Sequence, residues 1–295
     1  MSATDQFMTA IESAGMTPPA TVHDDGKLHR FSPTGKRGDD AGWYVLHLDG
    51  VPAGSFGDWR SGESQNWCAK SDHDLSDAER HAQRERVHAA QRLRDAETTR
   101  RRGEAAAAAL ALWEAAAPAL AHPYLTAKGV KPHGIRADGH QLFVPMRDTG
   151  GKLHSLQTIA SDGGKRFMPG GRVRACHHTI GKPSGRLIVC EGYATGATLY
   201  QATGDAVAIA FNAGNLQAVA SALRTKYPCL SIVIAADDDW KTPGNRGLVA
   251  AKQAAQAVGG KVAVPDFAGL QRGDKDTDYN DLQRLAGALQ IGGAA

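Results

Sequence analysis

Cysteine is scarce in this sequence and badly spaced for a metal ribbon. The four cysteines, Cys68, Cys176, Cys190 and Cys229, form no CxxC pair, which excludes the common zinc patterns and leaves reduced thiols as the expectation. Nothing at the N-terminus resembles a secretory signal, and no apolar run approaches the roughly 20 residues that a membrane helix needs. Charge of one sign is not in excess either: the formal net charge is +3, so no polybasic or acidic tail dominates. With 42% hydrophobic and 22% charged residues the composition is that of an ordinary globular protein. These absences predict a cytoplasmic protein without membrane contact, and 295 residues suffice for two small domains with a buried core.

The small net charge hides an uneven distribution. Basic residues dominate from about Arg80 to Arg186 and acids gather towards the C-terminal end, which suggests a polyanion held beside an acidic pocket. Residues 1–70 read as a short helix over 4–14 followed by a β-rich module, with alternation at Trp43, Tyr44, Val45, Leu46, His47 and Leu48. His23, His29, His47 and Cys68 match no common ligand spacing, so no structural zinc is expected.

Residues 71–118 carry almost no Gly or Pro before Gly103 and Pro118 and offer Ser71 or Ser76 as caps, predicting a basic and Ala-rich helical connector. Two readings compete for Arg80, Arg84, Arg92, Arg94, Arg100, Arg101 and Arg102. They line a solvated connector, or they form an arm gripping nucleic-acid phosphates; helical charge runs favour the former. Residues 119–185 read as a small basic α+β subdomain. It has a short helix closed by Gly129 and a hairpin formed by QLFVPM (141–146) and LHSLQTIA (153–160).

From residue 186 strands at 187–190, 206–210, 231–236 and 261–264 alternate with helices at 194–203, 215–226 and 246–258 and after Tyr279. That order predicts an α/β parallel sheet covered on both faces. Two of its strands run into acids, LIVC into Glu191 and SIVIAA into Asp237, Asp238 and Asp239, and Asp274, Asp276, Asp278 and Asp281 follow a later apolar run. Chemistry in such folds sits at the C-terminal strand ends. Asp237 and Asp239 share a face if the strand end stays extended, and carboxylates so placed suit Mg²⁺, which takes few protein ligands and keeps sites for water and phosphate. Single loop aspartates commonly cap turns; three clusters at strand ends point instead to a metal.

Those residues resemble a Toprim domain, the module shared by topoisomerases and bacterial-type primases. Glu191 with Gly192, and Asp237 with Asp239, match its glutamate–glycine and Asp-x-Asp elements; Asn245, Arg246, Gly247, Ala250 and Ala251 resemble the helix that follows in primases, and residues 275–278 their late Lys-Asp-Pro-Asp. Upstream, residues 124–130, 142–148, 151–153 and 165–169 resemble in order the subdomain preceding Toprim in DnaG-type primases, closest to those of conjugative plasmids and mobile elements. The resemblance implies a DNA primase making short RNA primers on single-stranded DNA from ribonucleoside triphosphates. Glu191, Asp237 and Asp239 would be catalytic, and those three with Asp278 would hold Mg²⁺, or Mn²⁺ in its place; Glu191 is left open as ligand or proton shuttle. Lys165, on the family's lysine, with Arg166, Arg147 and Arg172 would contact nucleotide and template phosphates. No helicase motif follows, so a separate helicase or single-strand-binding protein is the expected partner. The sequence departs from the chromosomal primases in lacking the ribbon cysteines and in carrying Thr195 where they have an acid. The alternatives are a Toprim-type nuclease and a catalytically inactive single-stranded-DNA-binding protein.

Overall fold

The computed structural model describes residues 2–70 and 75–287, so the candidate cap Ser71 lies outside the described residues. Two compact units divide between Arg100 and Arg101. In the first, α1 (Ala3–Ser13) opens on a capping box between Ser2 and Asp5 and buries Phe7 and Ile11, four residues apart on one face. They meet an antiparallel meander of β1 (His29–Phe31), β2 (Gly42–His47), β3 (Ala53–Asp58) and β4 (Ser64–Cys68). Phe7 is the centre of this core, edge-on to Tyr44, Phe56 and Trp67 at 6.0, 5.6 and 5.4 Å. His29 bonds Asp25 at 2.7 Å and stacks between His23 and Tyr44.

Helix α2 (Asp77–Ala115) starts on Ser76, whose hydroxyl accepts from the Glu79 N–H while Glu79 returns to the Ser76 N–H. It is not the bare connector that its polarity suggests. Within the first unit Arg86 donates to the carbonyls of Asp49 and Val51, and Arg94 lies 5.6 Å from the Trp43 ring. Within the second unit Ala109 and Ala116 pack with Phe143, Leu153 and Leu156.

The second unit contains two sheets. One is antiparallel, β5 (Ala117–Pro118), β6 (Arg136–Ala137), β7 (Gln141–Arg147), β8 (Leu153–Ala160) and β9 (Lys165–Phe167) in chain order, with α3 (Pro123–Lys128) between β5 and β6. The other comprises β10 (His178–Ile180), β11 (Arg186–Cys190), β12 (Ala206–Ile209), β13 (Ser231–Ala235) and β14 (Lys261–Ala263), in the order β10-β12-β11-β13-β14. Its three right-hand pairings are parallel and β10 joins β12 antiparallel. Helices α4 (Tyr193–Thr203), α5 (Leu216–Lys226), α6 (Arg246–Val258) and α7 (Tyr279–Ala286) complete it.

Strand alternation sorts the core. Leu187, Val189, Ile232 and Ile234 face α5 and α6, while Ile188, Cys190, Val207 and Ile209 share a core with α4, α7 and the β7 residues Leu142, Val144 and Met146. Residues 119–185 and 186–287 therefore share one core. The antiparallel sheet packs Phe143, Leu153 and Leu156 on the α2 residues Ala109 and Trp113, and its Leu142, Val144 and Met146 share a core with α3 and the parallel sheet. Among the described residues no helix is long and apolar enough to cross a membrane.

Asn215, buried behind β12, ties this body together. Its amide donates to the carbonyls of Val173, Cys176 and Ala210 at 3.1, 3.0 and 2.9 Å and accepts from the Ala175 N–H at 2.8 Å. Asn215→Ala strands these groups and is expected to cost about 2–3 kcal/mol in urea unfolding; a change within experimental error would show that water replaces the amide.

Candidate active site

Strands β11 and β13 are parallel neighbours, with Val189 opposite Ile234, so their acidic exits lie side by side. Backbone pairing continues beyond both: Phe211 N–H donates to the Glu191 carbonyl at 2.8 Å and Ala236 N–H to that of Ala263 at 2.9 Å. Glu191 is thereby held at the very end of β11, immediately before Gly192 caps α4.

The Asp237–Asp239 exit is docked on the start of α6. Asn245, in the left-handed region at φ 41°, caps α6 through Leu248 N–H and also accepts from Asp239 N–H at 2.9 Å. The Gly247 N–H donates to Asp239 Oδ2 at 3.0 Å. A Cβ on Gly247 would stand 2.6 Å from the Asp237 carbonyl, so only glycine permits this approach. Asp238 turns the other way. Arg272 donates to its carboxylate and its carbonyl, each at 2.7 Å, and Asn245 Nδ2 to its other carboxylate oxygen at 2.6 Å. The Arg272 guanidinium is itself layered over Phe267 at 4.1 Å and Trp240 at 4.9 Å.

What remains at the strand ends is an acidic pair with incomplete compensation. Burial, then the charges of Asp239 and Asp278, push Glu191 up to about 7. Burial, then Glu191, Asp278 and Asp239, push Asp237 well above the carboxylate range, with Lys165 opposing. Glu191 Oε1 and Asp237 Oδ1 are buried without a hydrogen-bond partner. Orphaned carboxylate oxygens of this kind fit a divalent cation. Among the described residues no three His, Cys, Asp or Glu side chains are grouped closely enough to hold a metal ion by themselves; Mg²⁺ takes few protein ligands and fills its other places with water and phosphate.

Asp278, expected among the metal ligands, also closes the start of a helix. Its Oδ1 caps α7 through Asn280 and Asp281 N–H groups, both at 2.9 Å, and its Oδ2 accepts from Thr195 Oγ1 at 2.8 Å. It adds negative charge to the site with both oxygens already engaged. The other late acids face elsewhere: Asp274 pairs with Lys241, Asp276 with Arg284, and Asp281 lies 3.7 Å from Lys128.

The four basic candidates separate. Lys165 reaches the acids: its Nζ lies 5.8 Å from the Tyr124 ring and 3.8 Å from where a Cβ on Gly192 would stand. Although the residue is exposed, enough protein surrounds its ammonium that desolvation lowers its pKa against the pull of Asp278 and Asp237. Arg166 follows on the opposite strand face and is exposed. Arg147 is at the far end of the sheet. Lys165 pairs with Ile159, Ile159 with Leu142, and Arg147 is five residues further, roughly 17 Å by strand rise. Arg172 is also displaced, since Gly171 abuts Ser155, roughly 13 Å of strand from Ile159, and Arg172 Nε donates to the Arg174 carbonyl. Two aromatics not singled out by the sequence stand beside the acids instead: Phe167, on the Lys165 face, meets Phe211 edge-on at 6.2 Å.

Residues 186–288 match the Toprim domain family. Two proteins of Escherichia coli, each named DNA primase TraC, are 39% identical over 282 residues and 35% identical over 289. Those alignments take in 90% and 91% of this chain but 26% and 20% of the relatives, so the chain spans about a quarter or less of their length. The primase fragment of the bacteriophage T7 primase–helicase protein is 17% identical with a TM-score of 0.44, covering 58% of this chain and 72% of that one. Within the Toprim domain Thr195 keeps a polar contact at the position where the sequence lacks an acid, but as a donor to Asp278.

Two outcomes test this geometry. Arg272→Ala exposes the Asp238 carboxylate to its acidic neighbours and is expected to lower stability by about 2–3 kcal/mol, read as the urea midpoint; an unchanged midpoint would remove Arg272 from the loop's support. Glu191 has a folded pKa raised above its unfolded value, so the folded metal-free protein holds the extra proton between about pH 4.5 and 7. As pH rises from 5 to 8, wild type should therefore lose about 2–3 kcal/mol relative to Glu191→Gln. Parallel stability curves for the two proteins would refute the raised pKa.

Proposed function

We propose that this chain makes short RNA primers on single-stranded DNA by divalent-metal-dependent nucleotidyl transfer. The observation that carries the reading is the pair of buried, partnerless oxygens of Glu191 and Asp237 at adjacent strand ends, with Lys165 delivered over them from β9. The match to the Toprim domain and the likeness to proteins named DNA primase support it.

Glu191, Asp237 and Asp239 would hold Mg²⁺, or Mn²⁺ in its place. Such an ion activates a primer 3′-hydroxyl and neutralises triphosphate charge. Asp239 is oriented by Gly247 N–H, and Glu191, nearest neutrality, can also take the hydroxyl proton. Lys165 binds the triphosphate of the incoming ribonucleotide. Its depressed pKa reflects a desolvated ammonium, which attracts phosphate more strongly than a hydrated one. Arg166, exposed one residue on, contacts template phosphates. Single-stranded template is the substrate, and a separate helicase or single-strand-binding protein is the partner we infer. A cytoplasmic place in plasmid or mobile-element replication or transfer follows from the resemblance of residues 120–285.

A nuclease would use the same carboxylates. The likeness to proteins named DNA primase over 90% of this chain favours synthesis. With labelled ribonucleotides, Mg²⁺ and a single-stranded DNA template, wild type should yield short RNA. Asp237→Ala should reduce that by at least about 10³-fold, and Lys165→Ala should raise the nucleotide KM about tenfold. Template cleavage without RNA product would replace synthesis by the nuclease reading, and equal template binding by wild type and Asp237→Ala without product would reduce the chain to a binding protein.

A further inference from the structure

The far end of the β7–β8 hairpin carries a second concave surface. A cleft of about 380 Å³ is lined there by Trp113, Arg147, Thr149, His177, Lys226 and Tyr227 among others. That volume is in the range of sites for small organic ligands. It is a different place from the carboxylates, because Arg147 is roughly 17 Å of strand away from the Leu142–Ile159–Lys165 row.

Its lining repeats one device. Arg147 lies 5.7 Å from the Trp113 ring and Lys226 lies 5.4 Å from the Tyr227 ring, so each cation is backed by an aromatic. Both cations donate to carbonyls of one turn, Arg147 to Gly151 at 2.9 Å and Lys226 to Thr149. Among the described residues neither has a carboxylate within ion-pair distance. The acid in this lining, Asp148, is already engaged by His154 at 2.7 Å and by the Gly150 and Lys152 N–H groups at 2.9 and 3.1 Å. His177, joined to Arg147 by paired backbone hydrogen bonds, is buried and its Nδ1 lacks a partner. Burial and then the Lys226 charge lower the imidazole to about 4, so it is neutral at pH 7.

Two cations without acidic partners, beside aromatic planes in a cleft larger than a phosphate ion needs, call for a ligand that joins an anion to a flat ring. We propose that this cleft is a second site, binding a nucleoside 5′-phosphate with its phosphate on Arg147 and Lys226 and its base against the aromatic wall. The nucleotide is free or is the 5′-terminal residue of a strand; both present the same chemistry.

The test is titration of the full chain with AMP in EDTA, which disables divalent-dependent binding at the carboxylates. Saturable binding should be lost at least tenfold in Arg147→Ala and in Lys226→Met and be unchanged in Asp237→Ala, with adenosine and inorganic phosphate each at least tenfold weaker than AMP. Arg147→Lys, which keeps the charge, should retain most of the affinity, and thermal melts confirm that each variant is folded. A 5′-phosphorylated oligonucleotide competing with AMP, where its 5′-hydroxyl form does not, identifies the strand end as the source; failure of both to compete identifies the free nucleotide. The proposal is overturned by no AMP binding at millimolar concentration, by phosphate binding as well as AMP, or by AMP binding that Asp237→Ala abolishes and Arg147→Ala spares. Primer synthesis plays no part in these readouts, so the two readings fail separately.

Discussion

Two carboxylates buried at adjacent strand ends repel each other, and the C-terminal half of this protein is arranged around tolerating that repulsion. The parallel register of β11 and β13 forces Glu191 and Asp237 together. Neither can move out without breaking the pairing that continues past each strand. Relief comes from three directions. Arg272 and Asn245 remove Asp238 from the crowd, Gly247 N–H and the start of α6 stabilise Asp239, and Lys165 brings a positive charge across from the other sheet. On the proposed reading the last acidic increment is left for a cation to balance, which would convert a folding liability into a binding site.

Much of this was legible in the sequence because the signals were local. Apolar runs ending in acids announced the parallel sheet and its functional edge, and an Asp-x-Asp at an extended strand end implied that Asp238 would face away. The partner of Asp238 was not legible, since Arg272 stands 34 residues further on and its guanidinium is aimed by Phe267 and Trp240, contacts that only the fold creates. The capping role of Asp278 was overlooked for the opposite reason. Its capping box with Asp281 is a purely local pattern, outweighed in the sequence reading by its membership of an acidic cluster. Lys165 stood apart from Arg147 and Arg172 only through its place on the family's lysine, because the distance of each from the acids depends on how the hairpin registers with β9.

The segments read from the sequence meet the same principle. Residues 119–185 have a hairpin, a short helix and turns, all that local patterning asks of a domain. Yet their Leu142, Val144 and Met146 share one core with Tyr124 and Leu125 of α3 and with Ile188, Cys190 and Ile209 of the parallel sheet. Strand β10 goes further and joins the parallel sheet through β12. The boundary at 185 is therefore a change of pattern without a change of core.

That shared core has a functional consequence. Lys165 and Glu191 belong to different sheets, so their spacing is set by the apolar contacts between those sheets. Electrostatic stabilisation is most effective when the charges need not reorganise as the reaction proceeds. A lysine on a mobile subdomain would have to be brought to the acids at each turnover. Here β9 is pinned by Phe167 against Phe211, whose own N–H holds the Glu191 carbonyl. The lysine and the glutamate are thus two ends of one short chain of contacts, and the charge pattern that a metal and a triphosphate would meet is already assembled before either arrives.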